Sequence, residues 1–119
     1  MRTDASVLEI IRNHYSAICC GMCSAIERTS YSSYVTESAD FATGLIATNG
    51  EFFAYPKTAG VTIFMGLTLA RTIAECGGNE SMREGDIIIT NDPYNTDGLS
   101  TPLPDVHVIK PVFADGKLT

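Results

Sequence analysis

The residues with the best claim to chemistry are carboxylates set where apolar runs end. Thr90-Asn91-Asp92-Pro93-Tyr94 follows Ile87-Ile88-Ile89, and Leu103-Pro104-Asp105 opens into Val106-His107-Val108-Ile109. Asp92 and Asp105 thus stand at the mouths of two strands, joined by a loop rich in Gly, Ser, Thr and Pro. Loops carry function when rigid elements hold their ends. With Asp40, these carboxylates could form an oxygen-rich pocket for a divalent cation, or act as general base and orienting groups. Each also has a plainer reading. Asn-Asp-Pro is good turn chemistry, with side-chain oxygens bonded to backbone N–H groups, and this is the better reading of Asp92. For Asp105 the two readings weigh evenly.

Two histidines are present. His107 lies two residues beyond Asp105, which makes it a candidate ligand. A lone histidine on an apolar strand is more often a hydrogen-bonded structural residue. His14 sits beside the apolar stripe of the first helix and reads as a packing residue. Cys20-Gly21-Met22-Cys23 is formally Cys-x-x-Cys, but it falls in mid-helix with only Cys76 elsewhere to add to Cys19. Zinc or redox chemistry needs a second ligand pair or a helix N-terminus, so these cysteines read as small packing residues. No phosphate-binding Gly-x-x-x-x-Gly-Lys-Ser/Thr loop and no Ser-based nucleophile motif occurs.

The elements that must position these groups follow from periodicity. Residues 4–28 predict one amphipathic helix, capped by Asp4 or Ser6, with Ser6-x-x-Glu9 as a capping box. Its apolar stripe is Val7, Ile10/Ile11, Tyr15, Ile18, Met22 and Ile26. Residues 41–47 and 51–55 predict strands around a hairpin turn at Asn49-Gly50. Residues 61–76 predict a second helix with Met65, Leu69, Ile73 and Cys76 on one face, ended by Gly77-Gly78. Arg83-Glu84-Gly85-Asp86 turns into a strand over 86–90, and residues 91–104 are loop. A further strand runs over 106–113 into the turn Ala114-Asp115-Gly116-Lys117. Met22, Met65, Phe52 and Phe53 read as core. The expected class is α+β: two amphipathic helices packed on antiparallel hairpins, the sheet completed by further chain or a partner subunit.

The chain has 119 residues, enough for one small domain, and a net charge of −6. No lysine or arginine cluster offers a footprint for nucleic acid or an anionic membrane. No apolar run has the length of a membrane span. The N-terminus leads into the helical pattern and not into a signal peptide, so the expected compartment is the cytoplasm, where a disulfide framework is not expected. The last hairpin has barely begun its return strand, which fits a piece of a longer protein or a subunit completed by a neighbour.

Gly85-Asp86-Ile87-Ile88-Ile89-Thr90-Asn91-Asp92-Pro93-Tyr94, then Ser100-Thr101-Pro102-Leu103-Pro104-Asp105-Val106-His107-Val108, then Lys110-Pro111-Val112-Phe113 resembles the hydantoinase B family. That family includes the B-type subunits of N-methylhydantoinases, the matching half of 5-oxoprolinases, and related subunits of acetone and acetophenone carboxylases. Leu8-Glu9-Ile10-Ile11-Arg12-Asn13, Glu27-Arg28-Thr29-Ser30-Tyr31-Ser32 and Ser38-Ala39-Asp40-Phe41 are similar to the start of those subunits. The likeness therefore covers nearly the whole chain, as one N-terminal segment over residues 1–119 of a subunit several times longer.

The resemblance implies an enzyme part: a subunit that hydrolyses a cyclic amide of hydantoin or oxoproline type, or carboxylates a ketone. It implies an A-type partner subunit that binds ATP and phosphorylates a carbonyl or carboxylate oxygen, and it implies the remaining part of the B-type subunit. It also implies a divalent metal (zinc, manganese or iron), with Asp40 and Asp105 as ligands from this chain and Asp105 in the catalytic role; His107, by its spacing from Asp105, is a third candidate ligand. The family loop usually reads Thr-His-x-Pro-Asp, and here it reads Thr101-Pro102-Leu103-Pro104-Asp105. Proline has no donor atom for a metal, whereas imidazole is a preferred ligand. The rival reading follows from that departure: an assembly subunit that keeps the fold without the chemistry.

Overall fold

The computed structural model describes residues 4–56, 67–99 and 103–119. Along them run α1 (Ala5–Thr29), α2 (Ser33–Thr36), β1 (Leu45–Ile46), β2 (Phe52–Ala54) and α3 (Ala70–Glu75). A single 3-10 turn follows (Asn79–Ser81), then β3 (Ile88–Thr90), β4 (His107–Ile109), β5 (Phe113–Ala114) and β6 (Lys117–Leu118). The strands pair as β1-β2, β3-β4 and β5-β6 among the described residues, so the chain is α+β with small hairpin sheets. It divides into two compact units: Met1–Leu45 with Phe53–Met65, and Ile46–Phe52 with Gly66–Thr119.

In the first unit, α1 starts where sequence placed it. The Asp4 carboxylate accepts from the Ser6 N–H at 2.8 Å, satisfying one of the donors a helix start leaves orphaned. Asp4 thereby wins over the Ser6 capping box, and Glu9 instead accepts from Arg12 and Asn13, each at 3.3 Å. The buried side of α1 differs from the expected stripe. Val7, Ile10, Ile11, Tyr15, Ile18 and Ile26 are all exposed, Ile10 to 57%. The fully buried residue is Cys19, with Cys20, Met22 and Cys23 half-buried beside it. Small side chains there let the 41–45 segment approach the helix backbone: the buried Thr43 hydroxyl donates to the Cys19 carbonyl at 2.9 Å and meets Cys23 Sγ at 3.2 Å. His14 is exposed, which corrects its reading as a packing residue. Phe53 is also exposed and sets its ring edge-on to Tyr15, centroids 5.0 Å apart. The short α2 follows α1 after a three-residue break.

In the second unit, the Asn49-Gly50 turn forms as expected, with the Gly50 N–H on the Ala47 carbonyl at 2.8 Å. Gly50 is buried at φ 89°, and a Cβ there would sit 2.4 Å from the Ala70 nitrogen. Its carbonyl accepts from the Leu69 N–H at 2.9 Å and from the Thr68 hydroxyl at 3.0 Å. That contact explains why the second helix is shorter than its apolar pattern. Thr68 bridges to Glu51 in extended backbone, so the helix begins only at Ala70. Residues 61–66 of the expected helix, Met65 included, lie outside the described residues. Its end is as read: the Gly78 N–H reaches the Ile73 carbonyl and the Gly77 N–H the Ala74 carbonyl, the Schellman pattern.

β3 and β4 pair antiparallel with Ile88 opposite Ile109, Ile89 opposite Val108 and Thr90 opposite His107. The expected strand over 106–113 is broken in two. Pro111 lacks the N–H a ladder needs, so β4 ends before it and β5 begins after it. Asp115 (φ 51°) and Gly116 (φ 74°) then make the tight turn, and the return strand does form, with Phe113 opposite Leu118.

Gly50→Ala is expected to destabilise the protein by about 2–4 kcal/mol, from positive φ and steric overlap together. Gly21→Ala, in mid-helix with open space around its Cα, is expected to stabilise by about 0.5–1 kcal/mol. Chemical denaturation of both variants checks this, and equal effects would refute the close approach at Gly50.

Candidate functional site

The β3–β4 ladder brings the two ends of the loop over residues 91–106 together. The β-branched residues Ile87, Ile88 and Ile89, and Val106, Val108 and Ile109, favour the extended backbone that makes this possible. The outgoing limb is bonded step by step. The Asp92 N–H donates to Thr90 Oγ1 at 3.2 Å, and the Asp92 carboxylate accepts from the Tyr94 N–H at 2.8 Å. Thr96 Oγ1 donates to the Asp92 carbonyl at 3.0 Å, and Thr72 on α3 donates to the Asn95 carbonyl at 2.5 Å. Asp92 therefore does turn work, as its plainer reading held. The return limb is tied to the start of the loop by the Asn91 side-chain amide, which donates to the Leu103 carbonyl at 2.8 Å.

His107 heads β4 and is half-buried. Its Nε2 is buried and has no hydrogen-bond partner among the described residues. Burial lowers the imidazole pKa from its ordinary value, and the negative charge of Asp105 opposes part of that shift. Asp105 is exposed and precedes β4 rather than lying in it. The structure thus places Asp105 and His107 as electrostatic neighbours at one strand mouth. Asp40 is exposed and belongs to the other unit, its N–H bonded to the Tyr34 carbonyl at 2.9 Å. Pro102 lies outside the described residues.

Carboxylate oxygen and imidazole nitrogen are donor types that a divalent cation of the manganese, iron or zinc type accepts. A closed site needs more: among the described residues no three His, Cys, Asp or Glu side chains gather to hold a metal ion. A groove of about 260 Å³ opens in the same unit, with Thr72, Glu75, Cys76, Asn95 and all of Ile88, Ile89 and Thr90 in its lining. Neither Asp105 nor His107 is among its lining residues.

Four residues that organise the site went unmarked in sequence: Asn91 as an amide clamp, and Thr72, Thr90 and Thr96 as hydroxyl anchors. Only Asn91 carried a signal, through its place in the Asn-Asp-Pro turn. The bonds of Asn91 and Thr72 span 12 and 23 residues, beyond the reach of any local pattern. The cysteines behave as packing residues. Burial raises the Cys19 thiol pKa, and Cys23 shares the Thr43 hydroxyl. All four are free thiols.

His107 resists protonation in the fold more than in the unfolded chain. Its stabilising contribution is therefore complete above the ordinary histidine value of about 6.5 and is lost as pH falls below it. The urea midpoint is expected to drop between pH 7.5 and 5.5, with a shallower drop in His107→Gln; equal slopes would refute it. Iodoacetamide at neutral pH is expected to reach exposed Cys76 at least about tenfold faster than Cys19, as read by peptide mass spectrometry.

No solved structure matches the chain. It is similar to 5-oxoprolinase 1 of Arabidopsis thaliana, 32% identical over 116 residues, which are 97% of this chain and 9% of that protein. It is also similar to 5-oxoprolinase PfmaA of Pestalotiopsis fici, 27% identical over 111 residues, 92% of this chain and 8% of that protein. The chain thus spans less than a tenth of the curated relatives it matches. The profile of the family described as hydantoinase B/oxoprolinase matches residues 4–119. With the likeness running through both units, this chain belongs to the hydantoinase B/oxoprolinase family, of which it is an N-terminal portion.

Proposed function

We propose that this chain is the N-terminal part of a B-type subunit that opens a cyclic amide of the oxoproline or hydantoin type. The observation that carries the reading is the Asp105–His107 pair at the mouth of β4, with His107 Nε2 buried and lacking a hydrogen bond among the described residues. The 5-oxoprolinase relatives favour hydrolysis over the ketone carboxylation seen elsewhere in the family.

In this reading Asp105 takes the proton from the attacking water on a carboxylate oxygen. It is exposed, so solvent reaches it. His107 offers Nε2 as a nitrogen ligand beside it. A divalent cation held by these residues would polarise the amide carbonyl and acidify water. The chain has no phosphate-binding loop, so ATP belongs to an A-type partner subunit. The remaining B-type region supplies the other site groups. The expected setting is the cytoplasm; no helix among the described residues is long and apolar enough to cross a membrane.

The rival reading, an assembly subunit without chemistry, draws on one observation: three donors do not gather among the described residues. The two readings part on Asp105. In the assembled complex, supplied with ATP and 5-oxoproline, Asp105→Asn is expected to lower kcat by about 10²–10⁴-fold with little change in thermal midpoint. Unchanged turnover in that variant would sink the catalytic assignment, and a wild-type complex without stoichiometric divalent metal would sink the metal assignment.

A further inference from the structure

Bonds hold both described limbs of the loop, residues 91–99 and 103–106. Its outgoing limb has the Asp92–Tyr94 and Thr96–Asp92 bonds, and the Thr72 hydroxyl ties Asn95 to α3. Its return limb is reached from the other side of the mouth, by the Asn91 amide on the Leu103 carbonyl. Leu103 stands two residues before Asp105, a chain distance of about 7 Å. Only Pro104 lies between them, and its ring fixes φ, so the path from Leu103 to Asp105 is short and stiff. A displaced Leu103 carries Asp105 with it.

We propose that Asn91 is a positioning residue: by holding the Leu103 carbonyl it fixes where Asp105 stands relative to His107. The inference rests on the proposed role of Asp105 and adds a residue that does not itself touch the reacting atoms. Asn91 is exposed, and its amide spans the loop rather than packing in a core. Its contribution therefore falls on the geometry of the mouth more than on global stability. An amide is suited to this place. It donates to a carbonyl without adding a charge beside Asp105, which a lysine or arginine would do.

The test uses the full chain, wild type against Asn91→Ala and the similarly sized Asn91→Leu, both of which lack the donor. Backbone ¹⁵N order parameters at Leu103, Asp105 and Val106 report the clamp. Paramagnetic broadening of the His107 imidazole resonances during a Mn²⁺ titration reports the donor pair and works at weak affinity. In both variants the order parameters are expected to fall from rigid values toward about 0.6. The Mn²⁺ midpoint is expected to rise about tenfold, the usual loss when a support behind a ligand is removed. The amides of Ile88 and Ile109 should keep their protection, showing that the ladder is intact. Unchanged order parameters would overturn the clamp. Loosened residues with an unchanged Mn²⁺ midpoint would overturn the positioning role. If Mn²⁺ fails to broaden the wild-type imidazole while the variants still loosen 103–106, the clamp stands and the metal reading of Asp105 and His107 falls.

Discussion

The register of β3 against β4 is the constraint on which the candidate site depends. Setting Thr90 opposite His107 decides which residues flank the mouth. A slip by one residue would turn every side chain of one strand to the other face. Ile88, Thr90, His107 and Ile109 would then no longer share the half-buried side they occupy. The opposite side carries Ile89 and Val108, both exposed. With apolar residues on both sides, hydrophobicity alone discriminates the register weakly. The bonds that close the loop, above all Asn91 to Leu103, restrict it further.

Each unit has its own close approach of backbone to backbone, made possible by a small or absent side chain. In the first, Cys19 is buried where Thr43 bonds its carbonyl. In the second, Gly50 lies against Ala70 with no room for a Cβ. Both contacts join segments some twenty residues apart. Both put a threonine hydroxyl on a main-chain carbonyl, Thr43 on Cys19 and Thr68 on Gly50. A threonine used this way satisfies a backbone acceptor that strand or helix pairing leaves open. The second unit repeats the device with Thr72 and Thr96, which are among its few fully or nearly buried polar residues.

Sequence legibility follows from the range of the interaction that sets each feature. The Asp4 cap, the Asn49-Gly50 turn, the Gly77-Gly78 helix end and the Asp115-Gly116 turn were all readable, because each is decided within a few residues. Strand and helix lengths were not. Thr68 is drawn into a bridge with Glu51, which shortens α3, and Pro111 divides a run whose apolar pattern is unbroken. The apolar stripe of α1 was readable as a stripe, but periodicity does not say what covers it, and the cysteine side proved to be the buried one. At the site, Asp92 was rightly read as turn chemistry. The nearness of Asp105 and His107 was legible from their spacing of two. The Asn91 clamp was not, since its partner lies 12 residues on.

The state of His107 bears on what kind of site this mouth can be. A buried imidazole nitrogen lacking a hydrogen bond among the described residues carries a desolvation cost that a purely structural histidine normally avoids by bonding. The same burial that lowers its pKa favours the neutral ring, the form that can ligate a cation. Asp105 is exposed beside it. A half-buried imidazole and an exposed carboxylate are different environments within two residues of one another. They are produced by the step from loop to strand at the head of β4.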